Sequence, residues 1–264
     1  MDFGLKGKVA VVTGSTAGIG FGIAAALARE GAAVIINGRT STRVDLALEK
    51  LKALLPSASF RGIAADLSTS EGVGAFIKQV PVADVLVNNL GIFEVKPFLE
   101  VPDKDWQRFF EVNVLSGVRL TRHYLPGMLK KNWGRVIFIS SESGQQIPAE
   151  MVHYGMTKTA QIAIARGVAE SIAGTGVTVN SVLVGPTASE GAGQFVDSFA
   201  KEKAITKAEV EKEFFKNVRP SSLLKRFETV EEVADVVAFL ASEQSITING
   251  AAVRADGGVV RSIL

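Results

Sequence analysis

Apolar residues along this chain are grouped in two ways that alternate. Short unbroken runs rich in β-branched residues occupy positions 9–12, 34–36, 63–65, 85–87, 136–139, 177–182 and 251–253. They lack apolar–polar alternation, which is the signature of strands covered on both faces. Longer segments with helical patterning separate them, at 19–30, about 43–54, 105–129, 154–173 and 230–241. Gly31 is placed to cap the end of the first helix and Gly22 to pack within it. Asp103 or Asp105 is the N-cap candidate for the long helix. Strand–helix alternation predicts right-handed crossovers, hence an α/β fold: a Rossmann-type doubly wound parallel sheet with helices on both faces. No repeat, low-complexity tract or linker interrupts the pattern, so residues 1–264 are expected to form a single domain. The least regular stretch, 185–227, reads as an insertion. Phe195 and Phe199, and separately Val210 and Phe214, are spaced by four there, with Phe215 beside them. Such apolar faces suit a substrate lid.

Composition narrows the function classes. Hydrophobic residues at 47% against 21% charged exclude a disordered chain. The net charge of +2 comes without a basic stripe or basic amphipathic helix, so neither nucleic acid nor a membrane surface is an expected partner. No apolar stretch approaches the roughly 18 residues of a membrane span. The opening MDFGLKGKVAVVTG reads as a strand rather than a secretory signal, which favours a soluble, cytoplasmic protein. With no cysteine, disulfides and thiolate chemistry are excluded; with only His123 and His153, no metal site is expected.

Two stretches carry candidate chemistry. Thr13-Gly14-Ser15-Thr16-Ala17-Gly18-Ile19-Gly20 joins the first strand to the first helix. Glycines there permit a tight turn and close approach of backbone to a pyrophosphate, and the helix N-terminus offers free N–H groups and a positive dipole end. The spacing differs from G-x-G-x-x-G by having three residues between the first two glycines. Further along, Tyr154 and Lys158 lie four apart at a helix start and share a face. An ammonium near a phenol favours phenolate, so Lys158 is expected to lower the tyrosine pKa and make Tyr154 a proton donor and acceptor nearer neutrality. Taken alone, such a pair is common. Its context is Ser140-Ser141 at the C-terminal end of a strand, the edge where open α/β sheets bind ligands.

The chain resembles the short-chain dehydrogenase/reductase family over essentially its whole length. The resemblance rests on motifs in the family's order: Thr13-Gly14-x-x-x-Gly18-Ile19-Gly20, Asp66-Leu67, Asn88-Asn89-Leu90-Gly91, Asn113, Ser141, Tyr154-x-x-x-Lys158 and Asn180. It implies an NAD(P)-dependent oxidoreductase moving hydride between nicotinamide and a ketone, aldehyde or secondary alcohol. Tyr154 would be the acid/base, Lys158 would hold the nicotinamide ribose, Ser141 would orient the carbonyl and Asn113 would hold a relay water. Asp66 and Leu67 would meet adenine, Asn89 and Gly91 the adenosine side, and Thr187 and Ser189 the carboxamide. Ser143, Gln145, Met151 and His153 flank the catalytic residues as substrate-pocket candidates. A homotetramer or homodimer, paired through the helices at 105–129 and 154–173, is likewise implied. Two positions depart from the family pattern: Leu90 replaces an alanine, and Val184-Gly185-Pro186 replaces a simple Pro-Gly.

An acid at the end of the second strand usually accepts the ribose hydroxyls of NAD. Gly38 stands at that position here and Arg39 follows, which favours the 2′-phosphate of NADP(H), with NAD(H) as the other option. Rival readings are a dehalogenase-like lyase, an enoyl reductase and a non-catalytic binding or regulatory protein. The first would lose the lysine and the glycine turn, the second would set tyrosine and lysine seven apart, and the third would have lost part of Ser141, Tyr154 or Lys158.

Overall fold

The computed structural model describes residues 2–190, 193, 200 and 205–263. Seven strands pair in parallel in the order β3-β2-β1-β4-β5-β6-β7. They are β1 (Val9–Val12), β2 (Ala33–Gly38), β3 (Phe60–Ala64), β4 (Val85–Asn88), β5 (Gly134–Ser141), β6 (Val177–Val184) and β7 (Ala252–Ala255). The connecting helices are α1 (Gly18–Arg29), α2 (Ser41–Leu54), α3 (Ser70–Gln79), α4 (Asp103–Phe110), α5 (Ser116–Lys131), α6 (Val152–Ser171), α7 (Lys207–Glu213) and α8 (Val230–Ala241). Among the described residues, no helix is long and apolar enough to cross a membrane.

The unbroken apolar strands have the reason expected of them. Ile137, Ile139, Val182 and Val184 point into a core shared with α1, α2 and α8. Their neighbours Val136, Phe138, Val177 and Val179 point into the opposite core, shared with α3, α5 and α6. Successive residues of a strand face opposite sides, so both sides must be apolar. Gly22 lets α1 approach α8 closely: a Cβ there would come within 2.2 Å of Val230 Cγ1. Gly31 ends α1 with φ +87°, a conformation open to glycine.

Three local features differ from the sequence expectation. Helix α3 lies outside the predicted helical segments: two glycines weaken it as a helix, but the Thr69 side chain caps it by accepting from Gly72 N, and Val73, Phe76, Ile77 and Val80, at helical spacing, seat it on the core. The long helix is interrupted by a π turn at Glu111–Leu115 between α4 and α5. Its N-cap is Pro102, with no side-chain bond, rather than Asp103 or Asp105. Asp105 instead pairs with Lys96 at 2.7 Å, a partner in the preceding loop that local patterning cannot reveal.

Phe195 and Phe199 lie outside the described residues. Of the rest of that stretch, α7 buries Val210, and Phe214, Phe215 and Phe227 stack at 5.1–5.2 Å. Strand order reverses at β1 and β4, so their C-terminal ends open a crevice, the usual ligand position in a doubly wound sheet.

Candidate active site

The glycine turn is built from buried hydrogen bonds. Gly14 and Gly18 adopt φ of +59° and +56°. A Cβ at Gly20 would strike Asn89 Nδ2 at 2.5 Å and Gly14 O at 2.6 Å. Thr13 Oγ1 accepts the N–H groups of Asn89 and Leu90, both at 2.9 Å. Asn89 Nδ2 in turn donates to the carbonyls of Thr13 and Gly14 at 2.9 and 3.0 Å. The Ser15 hydroxyl is fully buried, donating to Val12 O at 2.6 Å and accepting Asn37 N at 2.9 Å. Asn37 also receives Gly14 N at 3.4 Å and donates to Ile63 O and Ala65 O at 3.1 Å. From β2 it ties the glycine turn after β1 to the end of β3, a role not expected from the sequence. The signal was a polar residue ending an apolar strand.

This turn fits a dinucleotide phosphate. Ala17 at the N-cap of α1 offers no side-chain cap and the first turn holds no acid, which leaves N–H groups and the positive dipole end facing the crevice. Ser189 crosses over it, its Cβ 3.4 Å from where a Gly18 Cβ would stand. Ile19, Gly91 and Thr187 line the crevice with Ser189. The Thr187 hydroxyl donates to Gly185 O at 3.0 Å. Arg39 is exposed just beyond β2, where a Cβ at Gly38 would come within 2.5 Å of Thr16 Cγ2. Asp66 is exposed, with Oδ1 held by Ser68, while the Leu67 side chain belongs to the core. Leu90 turns its larger side chain onto that same core.

At the other end of the crevice, β5 delivers Ser141 and the first turns of α6 deliver Tyr154 and Lys158. All three line one cavity of about 470 Å³. Its apolar wall includes Ile92, Phe93, Val95, Met151, Phe214 and Phe227; Glu142, Ser143 and Arg219 make a polar wall. Of the expected pocket residues, Ser143 and Met151 are in this lining and two are not. Gln145 is exposed away from it. His153 is wholly buried behind it, its ring edge-on to Phe109 at 4.4 Å, because one residue of helix turns its side chain about 100° away from Tyr154, toward α4.

Lys158 Nζ donates to Ile139 O at 2.8 Å and to Gln161 Oε1 at 3.2 Å, and lies 5.6 Å from the Tyr154 ring centre. Burial pushes the Lys158 ammonium down to about 8. It also pushes the Tyr154 phenol up to about 12, opposed by the hydrogen-bonding Ser141 hydroxyl and by Arg219 but reinforced by Glu142. The expectation that Lys158 lowers the phenol pKa is therefore corrected for the protein alone: desolvation wins.

Asn113 sits in the π turn. Its side chain bonds both backbone groups of Ile92, at 2.8 and 3.0 Å, and Thr157 Oγ1 at 2.9 Å. Its main-chain carbonyl accepts Gln161 Nε2 at 2.6 Å. The Gln161 amide therefore spans from Lys158 to the Asn113 carbonyl. The Asn180 side chain joins β6 to the carbonyl of Ile248 and the N–H of Ala251.

Residues 8–198 match the short chain dehydrogenase family model. The uncharacterized oxidoreductase YvaG of Bacillus subtilis is 49% identical, with all of both chains covered. A 3-oxoacyl-[acyl-carrier-protein] reductase of Aquifex aeolicus is 33% identical over 98% of this chain and 100% of its own. The structure of L-sorbose reductase from Gluconobacter frateurii, complexed with NADPH and L-sorbose, superimposes with a TM-score of 0.94 at 30% identity, covering both chains fully. The chain belongs to the short-chain dehydrogenase/reductase family, whose members are NAD(P)-dependent oxidoreductases of carbonyl and alcohol groups.

Proposed function

We propose that this protein is a cytoplasmic NADP(H)-dependent reductase of small ketones or aldehydes, running in reverse on secondary alcohols. The observation that carries the reading is the convergence of Ser141, Tyr154 and Lys158 on one cavity that continues to the uncapped N-terminus of α1. NADP(H), when bound, supplies or accepts the hydride. The α1 turn and Arg39 would hold its phosphates, and Thr187 and Ser189 would meet its nicotinamide end. The solved relative with NADPH supports the same cofactor.

The chain's own residues then have distinct tasks. Ser141 Oγ, fixed by accepting Ser143 N at 3.1 Å, directs a hydrogen bond at the carbonyl oxygen. Tyr154 Oη delivers the proton that turns this oxygen into a hydroxyl. With burial, its largest cause, holding the phenol near 12, it stays protonated at neutral pH, which suits a general acid in reduction. Lys158, aimed by Ile139 O and Gln161, holds the ribose and favours the tyrosinate that forms. Phe214 and Phe227, from the described part of the 185–227 stretch, close the apolar wall against the substrate.

Tyr154→Phe should reduce kcat by at least about a hundredfold with NADPH binding retained, since general acid catalysis contributes typically 10²–10⁴-fold. The check is steady-state turnover on a carbonyl panel, followed by NADPH absorbance, beside cofactor titration by fluorescence. Turnover within about tenfold of wild type would remove Tyr154 from this role.

A further inference from the structure

A buried ion pair stands in the wall of the catalytic cavity. Glu142 directly follows Ser141 and is 3% exposed. Its Oε1 accepts Arg219 Nε at 2.7 Å, and Arg219 comes from the far side of the cavity, 77 residues on. Its Oε2 accepts the hydroxyls of Ser141, at 3.2 Å, and of Ser143. Arg219 Nη1 is held by Val218 O at 3.0 Å and lies 4.0 Å from Glu150 Oε1, while Nη2 meets no acceptor among the described residues. Burying a charged pair is costly, and a cavity wall that only had to repel water would be better served by apolar side chains. Ile92, Phe93, Val95, Phe214 and Phe227 build the facing wall that way.

The arrangement sets a conflict at Ser141. Its single hydroxyl hydrogen is needed on the substrate carbonyl, yet the neighbouring carboxylate takes it. A substrate with a hydroxyl on the carbon beside the carbonyl resolves this. That hydroxyl can donate to Glu142 Oε2 in place of Ser141, which frees the serine hydrogen for the carbonyl oxygen. A plain ketone has no donor to offer, and leaves either the carboxylate or the carbonyl short of one bond. Charge-assisted hydrogen bonds are the stronger kind, so the difference is felt in selectivity. Arg219 keeps the carboxylate oriented and offers Nη2 to a further hydroxyl oxygen.

We infer that Glu142, oriented by Arg219, is a specificity-determining residue that selects α-hydroxy carbonyl compounds over plain ketones of the same size. This rests on the carbonyl-reductase reading above and adds the substrate class to it.

The test compares kcat/KM for 3-hydroxybutan-2-one and butan-2-one, and for 2-hydroxycyclohexanone and cyclohexanone, with NADPH. Wild type should favour the hydroxylated member of each pair. Because a hydroxyl also alters intrinsic carbonyl reactivity, the decisive quantity is the change in that ratio on mutation. Glu142→Gln should lower the ratio by at least about tenfold, the scale of one charge-assisted hydrogen bond. The double variant Glu142→Gln/Arg219→Gln, which removes both charges of the buried pair and leaves only the half-exposed Glu150 carboxylate without its 4.0 Å partner, should do the same and guards against a folding defect in the single variant. A ratio unchanged in the folded double variant, or a fall in which both members of a pair decline equally, overturns the inference and leaves a structural ion pair. Absence of turnover on every carbonyl compound would instead overturn the reductase reading beneath it.

Discussion

At the scale of single residues, the chemistry was legible where it was local and opaque where it was not. Ser141, Tyr154 and Lys158 lie within eighteen residues, on a strand end and a helix start that periodicity locates. Arg219 meets Glu142 across 77 residues, and Gln161 meets Asn113 across 48; no spacing rule joins such pairs. Arg39 is intermediate: its position was readable, its surroundings were not. Exchanging Gly38 for an acid to accept NADH would drive a Cβ into Thr16 Cγ2, 2.5 Å away, so the cofactor test belongs on Arg39 alone. A charge-assisted bond to a 2′-phosphate contributes about 1.5–3 kcal/mol. Arg39→Leu should therefore lower kcat/KM for NADPH by at least about tenfold and leave NADH nearly unchanged. Both cofactors should be measured at one fixed low ionic strength, because salt screens an exposed pair. An unchanged NADPH/NADH ratio would detach Arg39 from cofactor choice.

At the scale of elements, strands buried on both faces announced themselves, while α3 and the π turn did not. Helix α3 has an apolar face, Val73, Phe76, Ile77 and Val80, but it is only ten residues long and its two glycines obscure it. The π turn adds a residue to the register that lets Asn113 reach Ile92, Thr157 and Gln161 together. A further element-level feature lies where the loop after β6 crosses the end of β7. Glu228 is buried there, and neither carboxyl oxygen has a hydrogen-bond partner among the described residues. A Cβ at Gly185 would touch both Glu228 Oε1, at 2.6 Å, and Asp256 Cα, at 2.7 Å. Burial, then the charge of Asp256, raises the Glu228 pKa to about 7; the Gly185 N–H and Thr187 hydroxyl oppose this, but bond carbonyls instead. The folded state therefore holds this proton more tightly than the unfolded chain, whose value is near 4.5. Its contribution to stability is fully present below pH 4.5 and is lost as pH rises through about 7, by on the order of 3 kcal/mol. Glu228→Gln keeps the shape without the charge. Relative to wild type, the variant should gain roughly 2–3 kcal/mol in unfolding free energy between pH 4.5 and pH 8, read from urea transitions. An equal difference at both pH values would show that Glu228 does not titrate in this window.

At the scale of the whole molecule, helix α6 performs two tasks on opposite faces. Its inner face carries Tyr154, Lys158 and Gln161 and packs on β5 and β6. Its outer face presents Thr159, Ala163 and Gly167 at intervals of four, all exposed. On α5, Gly127 is exposed as well, and no atom stands within 4 Å of a Cβ built at Gly127 or Gly167. Small side chains on a helix surface let a second helix approach closely, whereas a surface helix that only meets water gains nothing from glycine in its interior, which costs about 1 kcal/mol relative to alanine. These faces support the proposal that copies of the chain pair through α5 and α6 into a homodimer or homotetramer. Pairing would also clamp the helix that aims the catalytic side chains. Gly167→Glu places a long charged side chain at the centre of the proposed contact, where an unpaired buried charge is strongly unfavourable. Wild type should elute with a light-scattering mass two or four times that of the 27.9 kDa chain, and the variant should fall to a smaller species with its far-ultraviolet circular dichroism unchanged. A monomeric wild type, or a variant with the full assembly mass, would place the interface elsewhere or nowhere. If the variant dissociates and kcat falls with it while NADPH affinity holds, assembly is what steadies Tyr154 and Lys158.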